Sequence, residues 1–215
     1  NTNRSPIGIP GVGDTAILNN GGSLMSLAGD TTVANFHLGD SIVGGRINLN
    51  GSVLTGTTSI TIGRFGGAGS MEGRSAMGSA KFITPSLTVN AAVNSSFPFY
   101  DNDRATSLSI TSGAKVITAV TENVSSGVSL IGVGSTLELG ANLLLSQDLI
   151  IQGVADGKAI VDAQNNNITA RDIFIGHFGG AGDILNDGAI TATRHLGVSR
   201  GSFTLDANDS VTSEV

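Results

Sequence analysis

Three close pairs of carboxylates could do chemistry in this chain: Asp101 with Asp103, Asp183 with Asp187, and Asp206 with Asp209. Glycoside hydrolysis uses two carboxylates ~5 to ~9.5 Å apart, one as acid and the other as nucleophile or base. Polysaccharide lyases need instead a base near a cation that neutralises the sugar carboxylate. Asp is also favoured in turns, where its side chain bonds to nearby backbone, and turn chemistry is the preferred reading of each pair. His37, His177 and His195 are widely spaced and lack metal-ligand spacing. The stretch GGAGD at 179–183 looks like the calcium-binding nonapeptide G-G-x-G-x-D. Here Asp183 comes one residue early, the copy at 66–70 has Ser70 in its place, and no tandem array follows. Gly157-Lys158 is followed by Ala159 and makes no phosphate loop. Neither a metal nor a cofactor is expected.

One segment combines aromatic and charged residues. Phe97, Phe99 and Tyr100, three of the nine aromatics, flank Pro98 and adjoin Asp101, Asp103 and Arg104. Loops that exceed the regular unit of a repeat protein project from one face, and such a composition suits recognition. These six residues are the expected ligand-binding site. The other reading is that the rings fold back to cover an edge of the repeat. A second irregular stretch, SMEGRSAMGSAKFITP at 70–85, is expected to protrude nearby.

The elements that position these residues follow from composition and period. The chain has 215 residues, 31 glycines, no Cys or Trp, and 40% hydrophobic residues, enough to bury a sizeable core without disulfides. The net charge is −6 and the eleven Lys and Arg are scattered, which argues against nucleic acid or an anionic membrane as the main partner. No apolar run reaches the ~20 residues of a membrane span. Helical stripes are missing, while short polar–apolar alternations recur between Gly, Asn, Asp and Ser.

Those alternations repeat. SITI at 59–62, SLTV at 86–89, SLSI at 107–110, SLI at 129–131, DLII at 148–151 and DIFI at 172–175 start 19 to 27 residues apart. NFHL at 35–38 and HLGV at 195–198 extend the column. Secondary strands are expected at 115–118, 136–139, 159–162, 189–192 and 202–205. The nonapeptide TIGRFGGAG at 61–69 returns as FIGHFGGAG at 174–182, so Ile62 and Ile175 should stand five units apart. A unit of ~22 residues cannot bury its own apolar face, but coiled units stack strands ~4.8 Å apart. The expected fold is an all-β, right-handed parallel β-helix (β-solenoid) of roughly nine coils, with Ile60, Leu87, Leu108, Leu130, Leu149 and Ile173 as an inward ladder. Gly39, Gly63 and Gly176 should supply the positive φ or the close backbone approach that a bend requires, and 165–167 (NNN) should form a turn bonded to its own backbone or to Asn of a neighbouring coil. Residues 1–215 are read as one domain, a piece of a longer surface protein, with 1–30 as an N-terminal cap.

These stacked xLxIxxG units, rich in Ser, Thr, Asn and Gly, poor in aromatics, acidic and without Cys, resemble the passenger domains of bacterial autotransporter adhesins and related filamentous adhesins. The resemblance implies a β-helix on the outer surface of a Gram-negative cell, anchored in the outer membrane through a separate domain, or secreted. It implies no catalysis. The partners would be a host surface glycan or matrix protein, or another copy on a neighbouring cell, bound by multivalent contacts. The alternative is a β-helical carbohydrate-active enzyme, a polysaccharide lyase or glycoside hydrolase. Two carboxylates converging with Arg or Lys on one outer face would favour it.

Overall fold

The computed structural model describes residues 10–21, 23–40, 44–63, 69–72, 79–90, 96–155, 157–177 and 180–202. Parallel strands coil into a β-solenoid of about 7 turns with ~22-residue rungs, fewer than the nine coils expected. In the largest sheet the successive rungs contribute Thr15–Leu18, Thr31–Leu38, Val53–Ile62, Lys81–Asn90, Arg104–Thr111, Val124–Ile131, Leu143–Leu144 with Leu149–Gln152, Ile168–Ile175 and Ile190–Val198. A second sheet stacks Ser96–Pro98, Lys115–Thr118, Thr136–Leu139, Lys158–Asp162, Ala181–Leu185 and Gly201–Ser202, and a third stacks Leu24–Ser26, Gly45–Asn48 and Gly69–Glu72. Thr15–Leu18, inside the region read as a cap, already pairs in parallel with 35–38.

Alternation with period two aims apolar side chains at the coil axis, and stacking places like on like. One inward column runs Phe36, Ile60, Leu87, Leu108, Val128, Leu149, Ile173. A second runs Leu38, Ile62, Val89, Ile110, Leu130, Ile151, Ile175, all nearly free of solvent contact. Ile62 and Ile175 therefore share a column five rungs apart, as their spacing predicts. One expectation needs correction: Leu130 is buried, but it belongs to the second column, and Val128 fills the first. Gly127 opens that strand segment, and without a side chain it hid the polar residue that marks the start elsewhere.

The long strands of the main sheet are bent. Buried apolar positions fall two apart along each arm but three apart across the middle, as at Val33 and Phe36, Ala105 and Leu108, and Ala170 and Ile173. Pairing is irregular at the same point in four of the strand pairs. An extra residue at this point kinks a strand, so each long strand supplies two faces of the coil and the short strands supply the rest. This is why 189–192, expected as a separate strand, is continuous with 195–198 in Ile190–Val198.

The duplicated Gly-rich motif has a packing cause. Gly63 and Gly176 leave the main sheet at φ 75° and 69°, a left-handed turn that side chains resist. Six residues on, a Cβ on Gly69 would lie 2.8 Å from the Leu38 carbonyl oxygen, and one on Gly182 would lie 2.5 Å from that of Ile151. Leu38 and Ile151 are the column neighbours one rung before Ile62 and Ile175. Each copy thus folds its corner against the strand end of the rung below. Residues 64–68 and 178–179, including Arg64, lie outside the described residues.

Candidate interaction surface

The outward positions of the main sheet form columns as regular as the core. Thr61, Thr88, Ser109 and Ser129 stand one per rung. Beside them Ser86 stacks on Ser107, and Ser59 on Asn35, with the Ser59 hydroxyl donating to Asn35 Oδ1 at 2.8 Å. The same face turns charged and aromatic toward the later rungs, where Ile150 pairs with Phe174 and Asp172 with His195.

Asp172 is the centre of that charged end. Its carboxylate is 1% exposed and sits at the strand bend. Arg194 donates to it through Nε at 2.9 Å and through Nη2, Arg171 through Nε at 3.3 Å, and His195 Nδ1 lies 3.0 Å from Oδ1. Arg171 also reaches Asp148, one rung earlier, at 2.7 Å. The hydrogen bonds from Arg194 outweigh the cost of burial and, with those from His195 and Arg171, hold the Asp172 carboxyl far below the usual carboxylate range. The same contact raises the Arg194 guanidinium above its ordinary value. Two carboxylates and two arginines therefore do converge on one outer corner. Asp172, saturated with donors, is suited to fixing its neighbours rather than to taking a proton. His195, held through Nδ1, keeps 63% of its side chain exposed. Sequence spacing hides this group because its members come from three rungs, 148, 171–172 and 194–195, and meet only through coiling.

Among the described residues, Asp103 and Asp183 of the sequence-derived carboxylate pairs are taken up by structural hydrogen bonds. Asp103 is fully buried and accepts the backbone N–H groups of Phe82 at 3.1 Å and Tyr100 at 2.9 Å. Asp101 is exposed in the same turn. Asp183, inside Ala181–Leu185, accepts Lys158 Nζ at 2.6 Å and both the N–H and hydroxyl of Ser202, at 2.9 and 3.0 Å. Burial pushes this carboxyl up, and the Lys158 and Ser202 contacts more than reverse it, leaving it below its ordinary value. It ties three rungs together. Asp187 lies in the turn that follows, and Asp206 and Asp209 lie outside the described residues.

The aromatic segment is corrected most sharply. Phe97 and Phe99 are 5% and 2% exposed and pack with Phe82, ring centroids 5.3 to 6.0 Å apart. Phe97 pairs with Val116 as a rung residue, and the Phe99 N–H donates to the Ile117 carbonyl at 2.7 Å. These rings fold back into the coil, and neither they nor Asp103 can meet a ligand. The signal was present in the alternation of SFPFY, which matches KVIT one rung on; Ser96–Pro98 is the last strand of its sheet among the described residues. Asn123 completes the corner, donating to the Tyr100 and Asp103 carbonyls at 2.8 and 2.9 Å. Of the six expected residues, Tyr100, Asp101 and Arg104 retain surface, and Arg104 Nη1 donates to the Asp101 and Asp103 carbonyls. The second irregular stretch is in part regular strand, Gly69–Glu72 and Lys81–Asn90, while 73–78 lie outside the described residues.

Fold and surface define a β-solenoid protein with stacked hydroxyls on one face and an ion-paired corner. Comparison with protein-family models, curated proteins and solved structures found no match for the chain.

Proposed function

We propose that this solenoid is the display segment of a bacterial surface adhesin, carried at the cell surface through a separate domain or secreted. The observation that supports this reading is the outward column Thr61, Thr88, Ser109 and Ser129, a rigid row of identical chemistry one rung apart. Each hydroxyl offers a weak hydrogen bond in water, and a stiff scaffold that presents many at once converts weak contacts into avidity. The partner would be a host glycan, a matrix protein or a second copy on another cell. The test is attachment of protein-coated beads to cells and to immobilised matrix, read beside bead self-aggregation. Beads that neither attach nor aggregate at any coating density would sink the reading.

The enzyme alternative draws on one observation, the corner of Asp148, Arg171, Asp172, Arg194 and His195. A histidine oriented through Nδ1 by a buried carboxylate is the geometry of a general base, and the arginines would neutralise a uronate carboxylate. Incubation with polygalacturonate and alginate, followed by absorbance of the unsaturated product, tests it. Turnover abolished by His195→Ala would replace the adhesin reading.

A further inference from the structure

The strand bend also shapes a furrow. Where Val53–Ile62 pairs with Lys81–Asn90, the bend takes four residues of the first strand, 56–59, against three of the second, 84–86. The surplus leaves Thr57 and Thr58 exposed at one end of a hollow. The 3-10 turn Thr121–Asn123 brings exposed Glu122 to the other. Between them lie Ile83 and Pro85 from one rung and Arg104 and Thr106 from the next, enclosing about 320 Å³. The hollow crosses four successive rungs, ~14 Å along the coil axis at ~4.8 Å per step.

The lining chemistry selects a ligand class. Arg104 spends only Nη1 on backbone carbonyls; its Nε and Nη2, the Glu122 carboxylate and the Thr57 and Thr106 hydroxyls form no hydrogen bond among the described residues. One fixed cation and one carboxylate cancel, so the furrow carries no net charge to attract an ion. It presents donors and acceptors to groups that are both, which is the character of sugar hydroxyls. Ile83 and Pro85 offer an apolar patch for the C–H face of a ring. The volume lies at the lower end of the ~300–1,000 Å³ typical of small-molecule sites, and the length suits a short linear chain lying along the axis. We infer that this furrow binds a neutral linear oligosaccharide. The inference names a ligand for the attachment reading and rests on it.

The experiment titrates the whole chain with xylotetraose, cellotetraose and maltotetraose, and with tetragalacturonate and a heparin tetrasaccharide as anionic arms, by calorimetry and ligand-observed NMR. Binding of at least one neutral tetrasaccharide is expected, weakened at least tenfold by Thr106→Arg, which fills the furrow from an exposed position, and by Glu122→Gln, with unchanged melting curves. Arg104 is left intact because it also caps its own turn. Absence of neutral binding, preference for the anionic arms, or neutral binding that Thr106→Arg leaves unchanged overturns the inference. Bead attachment is read separately on the wild-type chain: beads that fail to attach remove the attachment reading, whatever the titration shows.

Discussion

At the scale of single residues, the two carboxylates with the most partners are stitches between rungs. Asp172 ionises in the folded chain far below its unfolded value, so its contribution to stability is fully present above the unfolded Asp pKa of ~3.9 and is lost as pH falls below it. Asp183, also depressed, acts with the same sign. Asp172→Asn should therefore lower the urea midpoint at pH 7 and flatten its decline between about pH 4.5 and pH 2.5. A variant whose midpoint still follows the wild-type acid profile would show that Asp172 is not responsible. The aromatic cluster gives a second prediction. Phe99→Ala should cost about 3–5 kcal/mol, because a ring packed on Phe82 and Phe97 leaves a cavity. Tyr100 and Asp101, which keep surface in the adjoining turn, should tolerate substitution. Equal denaturation midpoints for Phe99→Ala and wild type would contradict the packing.

At the scale of the element, the unit is a strand arm with two inward residues and the column each joins. Leu149→Ala should cost about 2–5 kcal/mol, since Val128 and Ile173 above and below hold the cavity open. Ser109→Ala, outward in the neighbouring column, should change stability by less than about 0.5 kcal/mol. Comparable losses for both would mean that the inward and outward assignments are exchanged. The Gly-rich corner can be tested in the same way. Gly176 combines φ 69° with an Arg200 carbonyl oxygen 1.5 Å from where a Cβ would lie, so Gly176→Ala must displace backbone and should destabilise the later rungs first. Hydrogen exchange that accelerates after residue 176 but not before 131 is the expected pattern.

At the scale of the whole molecule, a coil in which each rung touches its neighbours has stability and binding that both accumulate along the axis. Attachment through the outward hydroxyls should accordingly resist single changes. Thr88→Ala alone should leave bead attachment within about twofold, whereas Thr61, Thr88 and Ser109 changed together to Lys should reduce it by an order of magnitude or more, because multivalent affinity multiplies weak terms. A single substitution that abolished attachment would point to one discrete site instead.

By itself the sequence determined the architecture. Polar–apolar alternation with period two and turn residues every ~22 positions leave few ways to bury Ile, Leu and Val except by coiling and stacking, and the spacing of the two Gly-rich copies set Ile62 and Ile175 five rungs apart. The turn at 165–167 was legible too: the Asn167 N–H donates to Asn142 Oδ1 of the neighbouring coil at 2.9 Å. What lies on the surface was not. The bend in the main sheet shows in sequence only as a slip of one residue in the alternation, and that slip sets both the furrow and the Asp172 corner. Whether Phe97 and Phe99 face inward depended on pairing with Lys115–Thr118, a partner about 19 residues away in the chain. Only stacking brought 148, 172 and 194 together, because coiling brings residues about one rung apart in sequence to ~4.8 Å in space, and local patterns carry no record of which side chains then meet.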